Sequence, residues 1–262
     1  MKNTKLLVRV SIGSARLGIS YIKLEGRRSL GKYVLQSNTL MIFFEYFTIG
    51  KPEDIRDLRA ISSNTSVSRN EIPIAVVDNE EFEWEDELRR CNFFINQYED
   101  VSSIRDLSEY PIVLCDIDGV GQNFGSDYEG AYIIKELKRR YPNKIIVAYS
   151  AYSFKPDYNE YFEMADFYFD KDRGFDKWEE SLDESIRLAT DPIEQWKKIR
   201  NFLISQEVPL YTIFKLEQGY IESVKSGSEN ELIDKIESSD MPEEVKNSIN
   251  NVASAAFFSL LS

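Results

Sequence analysis

Four kinds of side chain able to do chemistry stand at the ends of short apolar runs. Asp116 closes the run Ile112-Val113-Leu114-Cys115, and Asp118 follows just before Gly119. Asp78, Asn79 and Glu80 follow the stretch from Ile72 to Val77. Ser150 follows Ile145 to Tyr149, and Lys171 comes directly after Phe167-Tyr168-Phe169-Asp170. Acids at neighbouring strand ends can hold Mg2+, which takes oxygen ligands and keeps several waters. A carboxylate can also attack phosphorus and form an acyl phosphate. A lysine then neutralises the oxygens of the transferred group, and a hydroxyl donates to one of them.

Composition narrows the chemistry. The chain has no histidine. Histidine general bases, Ser-His-Asp triads and HExxH zinc sites are therefore excluded. The two cysteines, Cys91 and Cys115, form no C-x-x-C pair. That argues against a disulfide framework or a structural zinc and for a reducing, cytoplasmic setting. No apolar run approaches the ~18 residues of a membrane span. Arg9 and Arg16 break the N-terminal apolar stretch, against a signal peptide.

The elements that must position these groups follow a strand-helix rhythm. Ile72 to Val77, Phe93 to Ile95, Ile112 to Cys115, Ile145 to Tyr149 and Phe167 to Phe169 read as strands. Glu85 to Cys91, Val101 to Leu107, Tyr128 to Arg140 and Trp178 to Leu188 read as helices between or after them. Such alternation predicts a parallel sheet with helices on both faces. In such a sheet the ligand site lies beyond the carboxyl ends of the strands. Asp78, Asp116, Ser150 and Lys171 would then share one edge.

Charge divides the chain further. Residues 1–70 carry twelve basic and five acidic residues, a net +7. Residues 71–190 carry thirteen and twenty-eight, a net −15, and residues 191–262 carry seven and twelve, a net −5. Three units are expected: a basic N-terminal α/β segment (1–70), a central domain (71–190) and an acidic helical C-terminal extension (191–262). Val8, Val10 and Ile12, then Leu17 and Ile19, alternate as short strands do. Pro52 to Leu58 reads as a helix with proline in its first turn. A protein of net charge −13 repels a polyanion, so the basic unit is expected to face an acidic protein surface rather than nucleic acid. Asp191-Pro192 starts the C-terminal helices, and Pro192 to Ser205, Pro209 to Val224, Glu229 to Ile236 and a last helix from Pro242 follow. The apolar end, Ala253 to Leu261, offers a homodimer or partner surface.

Residues 71–190 resemble a response-regulator receiver domain of the CheY type. Val76-Val77-Asp78-Asn79-Glu80 resembles the acid cluster after the first strand. Ile112 to Asp116 resembles the strand that bears the phospho-accepting aspartate. Ile145 to Ala151 resembles the strand that ends in a hydroxyl followed by alanine. Tyr168 falls on the aromatic switch position and Lys171 on the phosphate-pairing lysine. The resemblance implies a flavodoxin-like (βα)5 doubly wound sheet of strand order 2-1-3-4-5. It implies phosphoryl acceptance on Asp116, aided by Lys171, Ser150 and Asp118, and a switch through Ser150 and Tyr168. It implies Mg2+ held by residues among Asp78, Asn79, Glu80, Asp116 and Asp118. The expected donor is a histidine kinase or phosphotransfer protein, with signalling through protein-protein contact. Asn79 stands where the family has a second acid, so Mg2+ binding should be weak. The loop after Asp116 is Asp118-Gly119-Val120-Gly121, and Asp172 replaces the usual proline after the lysine. These departures keep open a degenerate, phosphate-independent pseudo-receiver acting as a scaffold. A haloacid-dehalogenase-like phosphatase is the enzyme alternative, since Asp116-Ile117-Asp118-Gly119-Val120 also matches its D-x-D-G-T/V motif.

Overall fold

A computed structural model describes residues 33–37, 40–44, 52–62, 67–150 and 163–253. The chain divides into two compact units, residues 1–51 and 52–262. In the first, β1 (Tyr33–Ser37) and β2 (Leu40–Phe44) pair antiparallel, with Tyr33 opposite Phe44. The alternating stretches at residues 8–12 and 17–19 lie outside the described residues, as does the tail from residue 254.

The second unit is built on a five-stranded parallel sheet. Its strands are β3 (Pro73–Val77), β4 (Phe94–Tyr98), β5 (Ile112–Asp116), β6 (Ile145–Ser150) and β7 (Phe167–Asp170). They lie in the order β4-β3-β5-β6-β7. Renumbered within the sheet this is 2-1-3-4-5, the flavodoxin-like order. β3, β5 and β6 are interior strands, and their residues are buried almost throughout. Burial on both faces is what their continuous apolar runs require.

Side-chain parity sorts those runs into two layers. Ile74, Val76, Ile112, Leu114, Ile145 and Val147 point to one face, where Leu88, Trp178, Leu182 and Ile186 cover them. These come from α2 (Glu85–Arg90) and α4 (Phe175–Thr190). Ala75, Val77, Val113, Cys115, Ile146 and Ala148 point to the other face, under Ile133, Ile134 and Leu137. Those belong to α3 (Glu129–Arg140). The helix expected over Val101 to Leu107 is instead a 3-10 turn, Ile104–Leu107. Ser103 and Asp106 form a reciprocal capping box that starts this turn late, and Pro111 opens the approach to β5. Ile104 and Leu107 still seal the α3 face.

Beyond the sheet stand α5 (Pro192–Ser205), α6 (Leu210–Ser226), α7 (Asn230–Glu237) and α8 (Glu243–Val252). Asp191 caps α5, accepting from the Ile193 and Glu194 N–H groups at 2.8 and 3.2 Å. Trp196, Ile199, Leu216, Tyr220, Leu232 and Ile249 make the centre of a separate core. Leu58 belongs to the same core, so the segment that leads into α1 (Arg59–Ser62) packs with the C-terminal helices. No helix among the described residues is long and apolar enough to cross a membrane.

Candidate functional site

The carboxyl edge of the sheet carries a buried charged group assembled by strand parity. Asp78 continues the parity of Ile74 and Val76. Asp116 continues that of Ile112 and Leu114, and sits opposite Tyr149 in register. All three side chains therefore lean to the α4 face. Asp78 is 2% exposed and Asp116 4%. Charges this deep need partners.

Lys171, just past β7, supplies the cation. Its Nζ donates to Asp116 Oδ2 at 2.7 Å and lies 3.1 Å from Asp78 Oδ2, with the exposed Glu80 farther out at 3.9 Å. The Ile117 and Asp118 N–H groups donate to Asp116 Oδ1 at 2.7 and 3.3 Å. The Glu80 N–H donates to Asp78 Oδ1 at 2.9 Å. Burial pushes the Asp116 carboxyl up, the bond and charge of Lys171 pull it partway back, and Asp78 adds to the rise. Burial lowers Lys171, but its bonds to Asp116 and Asp78 outweigh that, and the net shift is upward.

The remaining predicted residues frame this pair. Ser150 is buried, and its hydroxyl donates to Asp118 Oδ2 at 3.2 Å. The structure thus brings Ser150 and Asp118 together beside Asp116. Asn79 packs against Gly119, whose φ of +81° suits glycine; a Cβ there would meet the Asn79 amide at 2.7 Å. Tyr168 lies on β7 opposite Ala148, with 43% of its surface exposed.

Sequence reasoning missed four contributors. Tyr149, read as a plain strand residue, donates its hydroxyl to Asp78 Oδ2 at 2.9 Å from inside the core. Burial first, then the Asp78 charge, drives its phenol well above the ordinary range. The only hint was a tyrosine ending an otherwise aliphatic run. Glu129 accepts the Gly119 N–H at 2.8 Å and Asp100 accepts that of Gly121 at 2.7 Å, which pins the loop after β5. Gly130 is the fourth: its N–H donates to the Ile117 carbonyl at 3.1 Å. A Cβ there would stand 1.9 Å from the Asp116 carbonyl oxygen. Only glycine lets α3 start this close to the strand end.

A divalent cation fits this arrangement poorly. Among the described residues no group of three or more His, Cys, Asp or Glu side chains is placed to hold a metal. The Tyr149 hydroxyl and the Lys171 ammonium already crowd Asp78 Oδ2, at 2.9 and 3.1 Å. Asn79 adds no charge.

No family model matches the chain, and no curated protein matches it. Solved structures do. One is the response regulator protein TrrA from Thermotoga maritima in complex with Mg(2+)-BeF. It is 22% identical over 44% of this chain and 98% of that one, with a TM-score of 0.35. Another is a CheY-like response regulator receiver domain protein from Methanospirillum hungatei, 17% identical over 44% and 95%, with a TM-score of 0.34. A third is a response regulator protein from Burkholderia pseudomallei with a phosphorylated aspartic acid, 15% identical over 53% and 88%, with a TM-score of 0.34. The likeness is one of fold.

Proposed function

We propose that residues 71–190 form a signal-transduction receiver that accepts a phosphoryl group on Asp116 Oδ2. The observation that carries the reading is the Lys171 ammonium, 2.7 Å from that oxygen at the mouth of an interior strand. The oxygen attacks phosphorus, forming an O–P bond. The leaving group departs with the electrons of its own bond to phosphorus, a P–N bond from phosphohistidine or a P–O bond from acetyl phosphate. Lys171 then pairs with the phosphoryl oxygens instead of the bare carboxylate. These 262 residues hold no histidine, and the donor in this reading is a histidine kinase, a phosphotransfer protein or a small acyl phosphate.

Ser150 serves as the hydroxyl that follows the phosphoryl group, letting go of Asp118. Tyr168, beside Ala148 on the neighbouring strand, is the ring that moves with it. Output passes to a protein partner, or to a second copy of the chain, through the C-terminal helices. Those helices join the sheet domain at the far end of α3: Ser248 donates to the Arg139 carbonyl at 2.9 Å and Asn251 to the Arg140 carbonyl at 3.1 Å.

The test is intact mass after incubation with acetyl phosphate. Wild type should gain one phosphoryl mass that Asp116→Asn does not. Equal labelling of both removes Asp116 from the role. Turnover of generic phosphomonoesters that depends on Asp118 would favour the phosphatase chemistry instead.

A further inference from the structure

Tyr149 is the one member of the buried group to which no motif gives a task. Its ring is fixed in the core. Trp178 packs edge-on against it at 5.8 Å, and Phe82 lies at 6.0 Å. The residue is 1% exposed, so its hydroxyl needs an internal acceptor, and Asp78 Oδ2 at 2.9 Å is that acceptor. Lys171 approaches the same oxygen at 3.1 Å and lies 5.4 Å from the centre of the Tyr149 ring, an additional cation–π contact. Phenol, lysine and both acids thus form one closed network.

Such a network and a divalent ion compete for Asp78 Oδ2. Mg2+ needs near-octahedral oxygen ligands at about 2.0–2.1 Å and gives up its waters reluctantly. To ligate Asp78 Oδ2 it would have to displace either the buried Tyr149 phenol or the cation shared by two buried acids. We propose that Tyr149 is a positioning residue that, with Lys171, holds Asp78 and Asp116 in place of a divalent cation, so that the acceptor site is assembled without metal. The consequence for labelling rests on the reading of Asp116 as the acceptor; the exclusion of the cation rests on Tyr149 and Lys171 alone.

Mn2+ is the probe, followed by the paramagnetic resonance of the free ion on titration into the full chain. Wild type should leave the free signal unchanged into the millimolar range. Tyr149→Phe, which keeps the ring and frees a lone pair of Asp78, should gain saturable binding at least tenfold tighter. Asp78→Asn in that background should abolish the gain. Saturable wild-type binding that is lost in Asp78→Asn overturns the proposal, and so does Tyr149→Phe with no gain. If Tyr149→Phe does not fold, the wild-type titration decides. A second arm compares acetyl phosphate labelling in EDTA and in Mg2+. Equal labelling of Asp116 supports the proposal, and labelling that needs Mg2+ overturns it while sparing the acceptor reading. Absence of label in both conditions overturns the acceptor reading, and the Mn2+ titration still decides this one.

Discussion

Lys171→Met is the sharpest test of how the site is held together. The substitution keeps most of the aliphatic stem and removes a charge that two carboxylates share at 2.7 and 3.1 Å. Both acids are nearly sealed from water, and only 21% of the Lys171 side chain is exposed. Removing one partner of a buried ion pair costs roughly 3–5 kcal/mol, because the other charge stays behind. The lysine is partly wet, so the low end applies, about 3 kcal/mol at pH 8. With an m-value of about 2–3 kcal/mol/M, the urea midpoint should fall by about 1–1.5 M. The pH dependence adds a signature. Asp116 already binds its proton more tightly when folded, so it contributes stability at low pH that is lost as pH rises through its folded value. Without Lys171 that value climbs further, and the loss extends to higher pH with a slope of up to about 1.4 kcal/mol per unit. The variant should therefore approach wild type on acidification. Adding Asp116→Asn should recover much of the loss, since one carboxylate then needs no shared cation. Urea titrations followed through the buried Trp178 would measure all of this. A Lys171→Met variant within 0.5 kcal/mol of wild type at every pH would refute the reasoning, since that is the scatter of ordinary surface substitutions.

Two further outcomes follow from particular contacts. Gly130→Ala should cost the upper end of the ~1–3 kcal/mol range for overpacking, because the clashing atom at 1.9 Å is the Asp116 backbone carbonyl, which cannot rotate away; a variant as stable as wild type in urea would show that α3 does not hold the strand end. Lys144 is 4% exposed, donates to the Ser108 and Tyr110 carbonyls at 2.7 and 2.6 Å, and is pulled by burial down to about 7. The folded state thus sheds a proton that the unfolded chain keeps, so wild-type stability should rise with pH above 7, by up to about 1.4 kcal/mol per unit for this one group; Lys144→Met should lose that rise, and parallel wild-type and variant curves would contradict it.

What was legible in the sequence was whatever depends on period and punctuation. The runs ending at Val77, Asp116 and Ser150 read as buried strands because interior parallel strands are apolar on both faces. Asp191-Pro192 read as a helix start because a side-chain cap and a missing N–H both suit a first turn. The 3-10 turn at Ile104–Leu107 was misread as a helix. Its apolar spacing fits either form, and the late capping box at Ser103 decides between them. The charged pair could be placed at one edge, but not its coupling to the core. Strand parity predicts that Asp78, Asp116 and Tyr149 share a face; it does not reveal that a phenol rising from one strand spans to an acid on another. That depends on β5 lying between β3 and β6, and so on the order of the whole sheet.

The same geometry ties α3 to both the sheet edge and the C-terminal helices. Its first turn lies against the Asp116 carbonyl through Gly130, and its last two carbonyls accept from Ser248 and Asn251 of α8. Its twelve residues span about 18 Å at 1.5 Å per residue. Near its C-terminal end, Lys138 of α3 and Lys198 of α5 share the Asp166 carboxylate, which also accepts the Ile146 N–H of β6 at 2.8 Å. A shift of the Asp116 strand end therefore meets a stiff rod on one side, and the rod's far end is bonded to the helical core. A loop in that position would absorb such a shift. A helix packed by Ile133, Ile134 and Leu137 and anchored at both termini has little freedom to do so.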